Sequence, residues 1–249
     1  MSEKMIELRI KRQRKPSNTP FCEEFSIPYQ ASMNVISCLQ YIVRNPRNKK
    51  GEAISPVFWE SCCLEEVCGS CTMIINGKVR QACSALIDDL TQPITLEPMS
   101  KFPLVRDLVV NRSRMFNELK KVKSWVILDG SFSKGAAPKL SQEDQEYAYP
   151  ISRCMTCGCC VDVCPQYNEK IDFVGAHAVA QVDLHNMHSI GRLQKSIRLE
   201  AMMAPDGISA CGNAQNCVQV CPKEIPLTTS IGKMGRETTV YAISKWLKR

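Results

Sequence analysis

The amino-acid sequence predicts an α+β protein, with a β-rich first domain at residues 1–110 and an all-helical second domain at residues 111–249. Residues 5–13 (MIELRIKRQ) alternate apolar and polar side chains, the pattern of a half-buried strand. Asn76-Gly77 joins two apolar segments, as in a tight hairpin turn. Later apolar residues recur at helical intervals between cysteine runs, and 249 residues suffice for about two domains.

The remaining elements follow in order along the chain. Residues 23–29 are expected to pair with the first strand, and residues 32–45 to form a helix capped by Ser32 and ended before Pro46. A short strand is expected at residues 93–98 (PITLEP), and a helix is expected from Phe102 to Val122. A polar connection between the domains is expected at residues 129–150.

Composition excludes several classes of protein. The sequence has 44% hydrophobic residues and a net charge of +7, without a basic stripe or nucleic-acid-reading motif, so no nucleic-acid partner is expected. The charged start does not resemble a signal peptide, and no apolar run approaches the ~18 residues that cross a bilayer. The chain is therefore expected in the reducing cytosol, where abundant cysteine indicates metal binding rather than disulfides.

Nucleotide and histidine-metal sites are not indicated. Gly130 and Gly135 have the spacing of a phosphate-binding loop, but Ala136 follows in place of lysine. The histidines lie on one predicted helix, where satisfied surface or core residues are expected: His177, His185 and His188.

All but two of the fifteen cysteines fall in three windows, at residues 62–83, 154–164 and 211–221. The two outside the windows, Cys22 and Cys38, are expected to be small buried apolar residues.

The first window has the plant-type spacing for a [2Fe–2S] cluster. Two irons need four thiolates, and the predicted ligands are Cys63, Cys68, Cys71 and, beyond the hairpin, Cys83. Cys62 is one residue out of register and is expected to be a dispensable non-ligand. A zinc site would use the same residues, but zinc spacings usually pair two short C-x2–4-C units.

The second window contains the bacterial ferredoxin run C-x2-C-x2-C-x3-C-P, in which the fourth cysteine binds the other cluster of a pair. The register is filled by Cys154, Cys157, Cys160 and Cys164, with Pro165 after them. Cys159 breaks the spacing and is expected to be a surplus, dispensable thiol.

The third window repeats this register with one cysteine missing, because Ala214 stands where the middle cysteine is expected. A [4Fe–4S] cluster is then predicted on Cys154, Cys157, Cys160 and Cys221. Only three thiolates remain for the other cluster, which predicts [3Fe–4S] on Cys164, Cys211 and Cys217. The alternative is a [4Fe–4S] cluster whose fourth ligand is water or a carboxylate.

These motifs together resemble the iron–sulfur subunits of succinate dehydrogenase and fumarate reductase. CLEEVCGSCTMIINGK, CMTCGCCVDVCP and CGNAQNCVQVCPKEIPL stand at the positions of that family with its full ligand set. The resemblance implies an N-terminal β-grasp domain like plant-type ferredoxins and an α-helical domain like bacterial ferredoxins. It also implies an electron-transfer subunit without a catalytic site of its own, between a flavoprotein carrying FAD and a membrane anchor where quinone reacts.

Two departures from the family bear on the quinone. Members that reduce ubiquinone carry a tryptophan shortly after the first Cys-Pro and a histidine after the equivalent of Cys211. Here QYNEK follows Pro165, and Gly212 stands in place of the histidine. The resemblance therefore implies the menaquinone-linked branch, with a di-haem cytochrome b anchor, and a peripheral position on the cytoplasmic face of the membrane.

Two other readings stay open on the sequence. The chain is alternatively the iron–sulfur subunit of another flavin dehydrogenase, or a free multi-cluster ferredoxin. At the C-terminal end, Trp246 among basic residues suits an amphipathic contact or a solvated helix end equally.

Overall fold

The computed structural model describes residues 4–127 and 140–248, which form two compact units. The first unit runs to Arg112 and includes the later segment Met155–Asp162. The second consists of Ser113–Cys154 and the chain from Val163 onward.

The first unit is built on a five-stranded sheet in the order β2-β1-β5-β3-β4. β1 and β5 are parallel neighbours, and the other adjacent pairs are antiparallel. The core contains Ile6, Phe25 and Leu39, all buried. The elements are β1 (Met5–Arg12), β2 (Phe21–Pro28), α1 (Val35–Arg44), β3 (Thr72–Ile75), β4 (Lys78–Gln81) and β5 (Ile94–Glu97). A mixed sheet around one helix in this order is a β-grasp arrangement, so the predicted α+β class is confirmed.

Most strands of the first unit match the sequence prediction. β1 pairs with β2 along its whole length, from Met5 opposite Pro28 to Arg12 opposite Phe21. The β3–β4 turn has Asn76 at φ 48° and Gly77 at φ 76°, the left-handed conformations that a two-residue hairpin requires.

The predicted cap of α1 is wrong by two residues. Ser32 lies before the helix with φ 63°, and Asn34 caps it instead by accepting a hydrogen bond from Ser37 N–H at 2.9 Å. Ser37 completes a reciprocal capping arrangement at the same end.

The predicted helix from Phe102 to Val122 is wrong in its first half. That half forms a small two-stranded ribbon, β6 (Leu104–Arg106) and β7 (Val109–Val110), and only α2 (Ser113–Lys121) is helical. Between the strands Asp107 adopts φ 47° and is fully buried.

A buried ion pair holds Asp107 in place. Its carboxylate accepts from Arg12 Nε at 3.0 Å and Nη2 at 3.2 Å, and from the backbone N–H groups of Gln13 and Phe58 at 3.1 Å each. Arg12 also pairs with Glu23. A tertiary contact of this strength overrides the helical pattern of the flanking residues.

The regular elements described in the second unit are helices. α5 lies at the centre of its core, where Val179 and Val182 pack with Leu199, Met202 and Met234. The α-helices of this unit are α2, given above, α3 (Gln142–Ser152), α5 (Ala176–Met187), α6 (Lys195–Met202), α7 (Asn216–Gln219) and α8 (Leu227–Leu247); α4 (Cys159–Asp162) belongs to the first unit.

The polar connection expected at 129–150 is only partly described. Residues 128–139, which include Gly130, Gly135 and Ala136, lie outside the described residues. Its last part is helical instead, because Ser141 caps α3 by accepting from Asp144 N–H at 3.1 Å. Among the described residues, no helix is long and apolar enough to span a membrane.

Replacing Asp107 with alanine should destabilise the first unit strongly. Arg12 would lose its main buried partner, and breaking a buried ion pair costs about 3–5 kcal/mol. The control is Arg9→Ala, which removes the exposed Arg9–Glu24 pair at a cost of about 0–1 kcal/mol. Thermal unfolding followed by circular dichroism measures both; equal losses in the two variants would contradict the role given to Asp107.

Candidate iron–sulfur centres

The predicted ligands of the first centre lie in one loop and on the hairpin that follows it. Cys63 and Cys68 lie in the loop before β3, Cys71 immediately precedes β3, and Cys83 follows β4 by two residues. Cys71 and Cys83 are buried, and Cys63 and Cys68 are partly exposed. The hairpin therefore returns the fourth cysteine towards the first three, as the spacing predicts.

Left-handed residues bend this loop so that backbone N–H groups face sulfur. Leu64, Glu66 and Gly69 have φ of 61°, 54° and 70°. The N–H groups of Glu65 and Val67 each donate to Cys63 Sγ at 3.4 Å, and Ser70 N–H donates to Cys68 Sγ at 3.5 Å. Such bonds stabilise thiolate charge.

The four sulfurs interact in two pairs, Cys63 with Cys68 and Cys71 with Cys83. Burial opposes ionisation of Cys68, but hydrogen bonds from Ser70 and Cys63 outweigh it and lower its pKa to about 6. Burial raises the pKa of Cys71 to about 11. Two thiol pairs and a loop of N–H donors fit a cluster with two irons.

The cysteines outside the predicted ligand sets occupy different environments. Cys62 is exposed and Cys159 is completely buried. Cys38 is buried as expected, but the expectation for Cys22 is wrong, since it is exposed. Cys22 lies in the first half of β2, an edge strand of which only Phe25 and Ile27 reach the core.

Two predicted ligands of the second centre, Cys157 and Cys160, lie in the segment that packs with the first unit, and both are buried. A hydrogen bond with Cys159 lowers the pKa of Cys157 to about 7 against the opposing effect of burial, and the same bond raises the pKa of Cys159. The other two, Cys154 after α3 and Cys221 after α7, belong to the second unit and are partly exposed.

The segment Met155–Asp162 contacts the loop of the first centre directly. A Cβ added at Gly69 would lie 2.7 Å from both Cα and Cβ of Cys157, so only glycine permits this approach. Farther along, the buried Asp162 carboxylate accepts from Lys101 N–H at 3.0 Å and anchors α4.

The predicted ligands of the third centre line one pocket in the second unit. Cys164, Cys211 and Cys217 lie there with Ala214 among them. Burial raises the pKa of Cys217, and the neighbouring charges of Cys164 and Cys211 add to that effect. Three thiols in one pocket with Ala214, which has no ligand atom, fit a three-iron cluster better than a cluster with four thiolates.

The histidines make structural contacts. His177 is buried, with Nε2 3.2 Å from the Met115 carbonyl, and burial lowers its pKa to about 4. His185 lies with Nδ1 3.3 Å from Ser124 Oγ, and His188 Nδ1 accepts from Gly191 N–H at 3.3 Å. Within the described ranges, no group of histidine, cysteine, aspartate or glutamate residues could hold a single metal ion.

Comparison with known proteins agrees with this arrangement. Residues 7–117 match the 2Fe-2S iron-sulfur cluster binding domain, and residues 150–225 match the 4Fe-4S dicluster domain. The succinate dehydrogenase iron-sulfur subunit of Bacillus subtilis (strain 168) is 54% identical over 97% of this chain and 96% of its own length. The chain belongs to the family of succinate dehydrogenase and fumarate reductase iron–sulfur subunits.

More distant members of this family align over similar lengths. The fumarate reductase iron-sulfur subunit of Haemophilus influenzae is 27% identical over 92% of this chain and 91% of its own length. A chain of the Mycobacterium smegmatis Sdh1 complex in the apo form superimposes with a TM-score of 0.77 at 20% identity, covering 95% of this chain and 96% of that one, which shows the shared fold. This iron–sulfur subunit carries [2Fe–2S], [4Fe–4S] and [3Fe–4S] clusters and transfers electrons within an oxidoreductase.

Three side chains outside the loop of the first centre bond to it or to Cys159, and the cysteine spacing could not reveal them. Arg112 and Thr72 donate to backbone carbonyls of the loop, and Gln81 donates to Cys159 Sγ at 3.4 Å. In the sequence, Thr72 directly follows Cys71 and Gln81 lies two residues before Cys83, whereas nothing near Arg112 indicates its contact with the loop.

Cys62→Ser should leave the [2Fe–2S] cluster intact, because this thiol is exposed and out of register. Cys63→Ser should impair the cluster, because it removes one of the four predicted thiolate ligands. Iron and sulfide content and the electron paramagnetic resonance signal of the reduced cluster measure both. Loss of that signal in Cys62→Ser would contradict the register.

Ala214→Cys should complete the ferredoxin register and convert [3Fe–4S] to [4Fe–4S]. The methyl group already lines the pocket of the three thiols, so the added sulfur can hold a fourth iron. Added ligand charge makes the cluster harder to reduce, so electron transfer to quinone should slow while the flavin step is unchanged. The oxidised protein should lose its three-iron paramagnetic signal; persistence of that signal in a folded variant would refute the position given to residue 214.

Lowering the pH from 7.5 to 5.5 should destabilise the second unit through His177. Its pKa is about 4 when folded and about 6.5 when unfolded, so below pH 6.5 only the unfolded chain gains the proton. The expected loss is about 1 kcal/mol at pH 5.5 and grows towards pH 4. His177→Gln should flatten this dependence in thermal unfolding, whereas His188→Gln, at the exposed end of α5, serves as the control. A wild-type slope in His177→Gln would contradict the prediction.

Proposed function

We propose that this chain carries electrons, one at a time, between the FAD of a flavoprotein subunit and menaquinone at a cytochrome b membrane anchor. The observation that carries the proposal is the pocket lined by Cys164, Cys211, Cys217 and Ala214, because three thiols and a residue without a ligand atom suit a three-iron cluster. Clusters exchange single electrons, which lets a two-electron flavin serve a quinone in two successive steps.

The proposed ligand sets follow the three registers. Cys63, Cys68, Cys71 and Cys83 hold [2Fe–2S]; Cys154, Cys157, Cys160 and Cys221 hold [4Fe–4S]; and Cys164, Cys211 and Cys217 hold [3Fe–4S]. Support comes from the paired sulfurs of the first set and from the shared pocket of the third. We place the boundary between the β-grasp and helical domains at residues 110 and 111.

The chain's own groups have two roles at the clusters: backbone N–H groups balance thiolate charge, and burial of the cysteines excludes water. The N–H groups of the Cys63–Cys71 loop donate to thiolate sulfur and so balance negative charge as electrons arrive. Burial of Cys71, Cys83, Cys157 and Cys217 limits solvent access to the clusters. Neither step requires a catalytic acid, base or nucleophile.

Menaquinone is favoured over ubiquinone by the residue types beside Cys211, where Gly212 stands in place of the histidine of ubiquinone-linked members. A Cβ at Gly212 would lie 2.1 Å from Gln166 Nε2, so the flexible end of the Gln166 side chain would have to move to admit a histidine. Gln166 itself belongs to the stretch QYNEK that replaces the tryptophan-containing segment of ubiquinone-linked members. This supports the di-haem cytochrome b branch.

We also propose that the chain is attached to the cytoplasmic face of the membrane. The end of α8 exposes Ile243, Trp246 and Leu247 beside Lys245, a mixture suited to contact with an anchor or a headgroup layer.

The test isolates the complex from washed membranes and assays succinate oxidation and fumarate reduction with menaquinone and ubiquinone analogues. We expect a flavoprotein and a haem b protein to co-purify and menaquinone to be the better partner. We also expect the separated chain to retain iron and sulfide but no FAD and no succinate oxidation. Stoichiometric flavin on the separated chain would refute the proposal, and so would absence of the chain from washed membranes.

A further inference from the structure

A compact hydrogen-bond network surrounds the peptide group between Gly69 and Ser70, in the loop that joins Cys68 to Cys71. The Gly69 carbonyl accepts from Arg112 Nη1 at 2.6 Å and from Thr72 Oγ1 at 2.7 Å. The Ser70 carbonyl accepts from Arg112 Nη2, also at 2.6 Å. One guanidinium therefore holds two consecutive carbonyls of the loop in its fork.

The other end of the same peptide group faces a predicted cluster ligand, since Ser70 N–H donates to Cys68 Sγ at 3.5 Å. The carbonyl and N–H of one peptide are conjugated, so a cation bound to the oxygen makes the nitrogen a stronger donor. The charge of Arg112 thus acts on Cys68 through the peptide without touching the sulfur.

The orientation of Thr72 is set by a second buried side chain. Gln81 Nε2 donates to Thr72 Oγ1 at 3.1 Å, and both residues are almost completely buried. Because the hydroxyl oxygen accepts from Gln81, its own proton is directed to the Gly69 carbonyl. Two side-chain donors, from Thr72 and Arg112, therefore converge on that carbonyl, which also accepts from Thr72 N–H at 3.3 Å.

We propose that Arg112 and Thr72 are positioning residues that raise the reduction potential of the [2Fe–2S] cluster through the Gly69–Ser70 peptide. The inference rests on the proposed ligand set, Cys68 in particular. One electron, supplied by the activity of the complex, enters the cluster while all four thiolates stay bound, so the cluster gains one negative charge. A nearby cation and a strengthened N–H donor stabilise that reduced form more than the oxidised form.

The experiment uses the full chain within its purified complex and titrates the electron paramagnetic resonance signal of the reduced [2Fe–2S] cluster against potential. Arg112→Gln removes the charge, and Arg112→Lys keeps it but cannot bridge both carbonyls. Thr72→Val replaces only the hydroxyl with a methyl group, whereas Thr72→Ser keeps the hydroxyl. Arg47→Gln is the control, because Arg47 Nη1 donates to the Gly51 carbonyl at 2.8 Å in another loop of the same unit.

We expect Arg112→Gln to disfavour one-electron reduction roughly tenfold, a fall of about 59 mV, with smaller falls in Arg112→Lys and Thr72→Val. Thr72→Ser and Arg47→Gln should keep the wild-type potential. A purely structural role would reduce cluster content and leave the potential of the remaining signal unchanged, and this result would overturn the inference. If Arg112→Gln fails to assemble, Arg112→Lys and Thr72→Val decide by the same criterion. Failure of the ligand set is distinguishable, because Cys68→Ser would then retain a wild-type signal.

Discussion

Thiolates at a cluster concentrate negative charge, and the backbone N–H groups that balance this charge must be ones that are not already hydrogen-bonded within a helix or strand. The loop from Cys63 to Cys71 meets this requirement with left-handed residues at Leu64, Glu66 and Gly69. For a non-glycine residue that conformation costs about 1–2 kcal/mol. The bonds from Glu65 and Val67 to Cys63 Sγ offset the cost, and the β3–β4 hairpin then places Cys83. The sheet therefore fixes the C-terminal end of this loop, where Cys71 leads into β3, and the position of Cys83 after β4.

Local chemistry explains which parts of the fold could be predicted from sequence. Cysteine spacing reflects short-range geometry, and Asn76-Gly77 imposes its own turn, so both could be interpreted residue by residue. The ribbon at residues 104–110 could not, because it depends on Asp107 meeting Arg12, 95 positions earlier in the chain. The cap of α1 failed for a smaller reason: Ser32 and Asn34 are both good capping residues, and only the reciprocal bond with Ser37 selects Asn34.

The candidate centres show the same difference between features set by local sequence and features set by packing. Spacing separates ligands from surplus cysteines, but it carries no information on packing, so Cys62 and Cys159 were equivalent in the sequence. In the fold Cys62 is exposed, whereas Cys159 is buried and hydrogen-bonded to Cys157. Whether Cys159 is dispensable stays a prediction, although any replacement must satisfy the Gln81 amide that points at it. Cys22 shows the reverse error, since an apolar residue type does not ensure burial on an edge strand.

Gly69 brings these requirements together at a single residue. Its φ of 70° helps to turn the ligand loop, and the absence of a Cβ allows Cys157 to approach. Its carbonyl accepts hydrogen bonds from the Arg112 guanidinium and the Thr72 hydroxyl. A side chain at this position would strain the backbone and displace the segment of Cys157 together, and it would also move the carbonyl away from both donors. Conformation, close approach and charge balance are therefore inseparable at residue 69. Arg112 and Thr72 differ in this respect, because their effect reaches the cluster through hydrogen bonds that can be removed while the backbone stays in place.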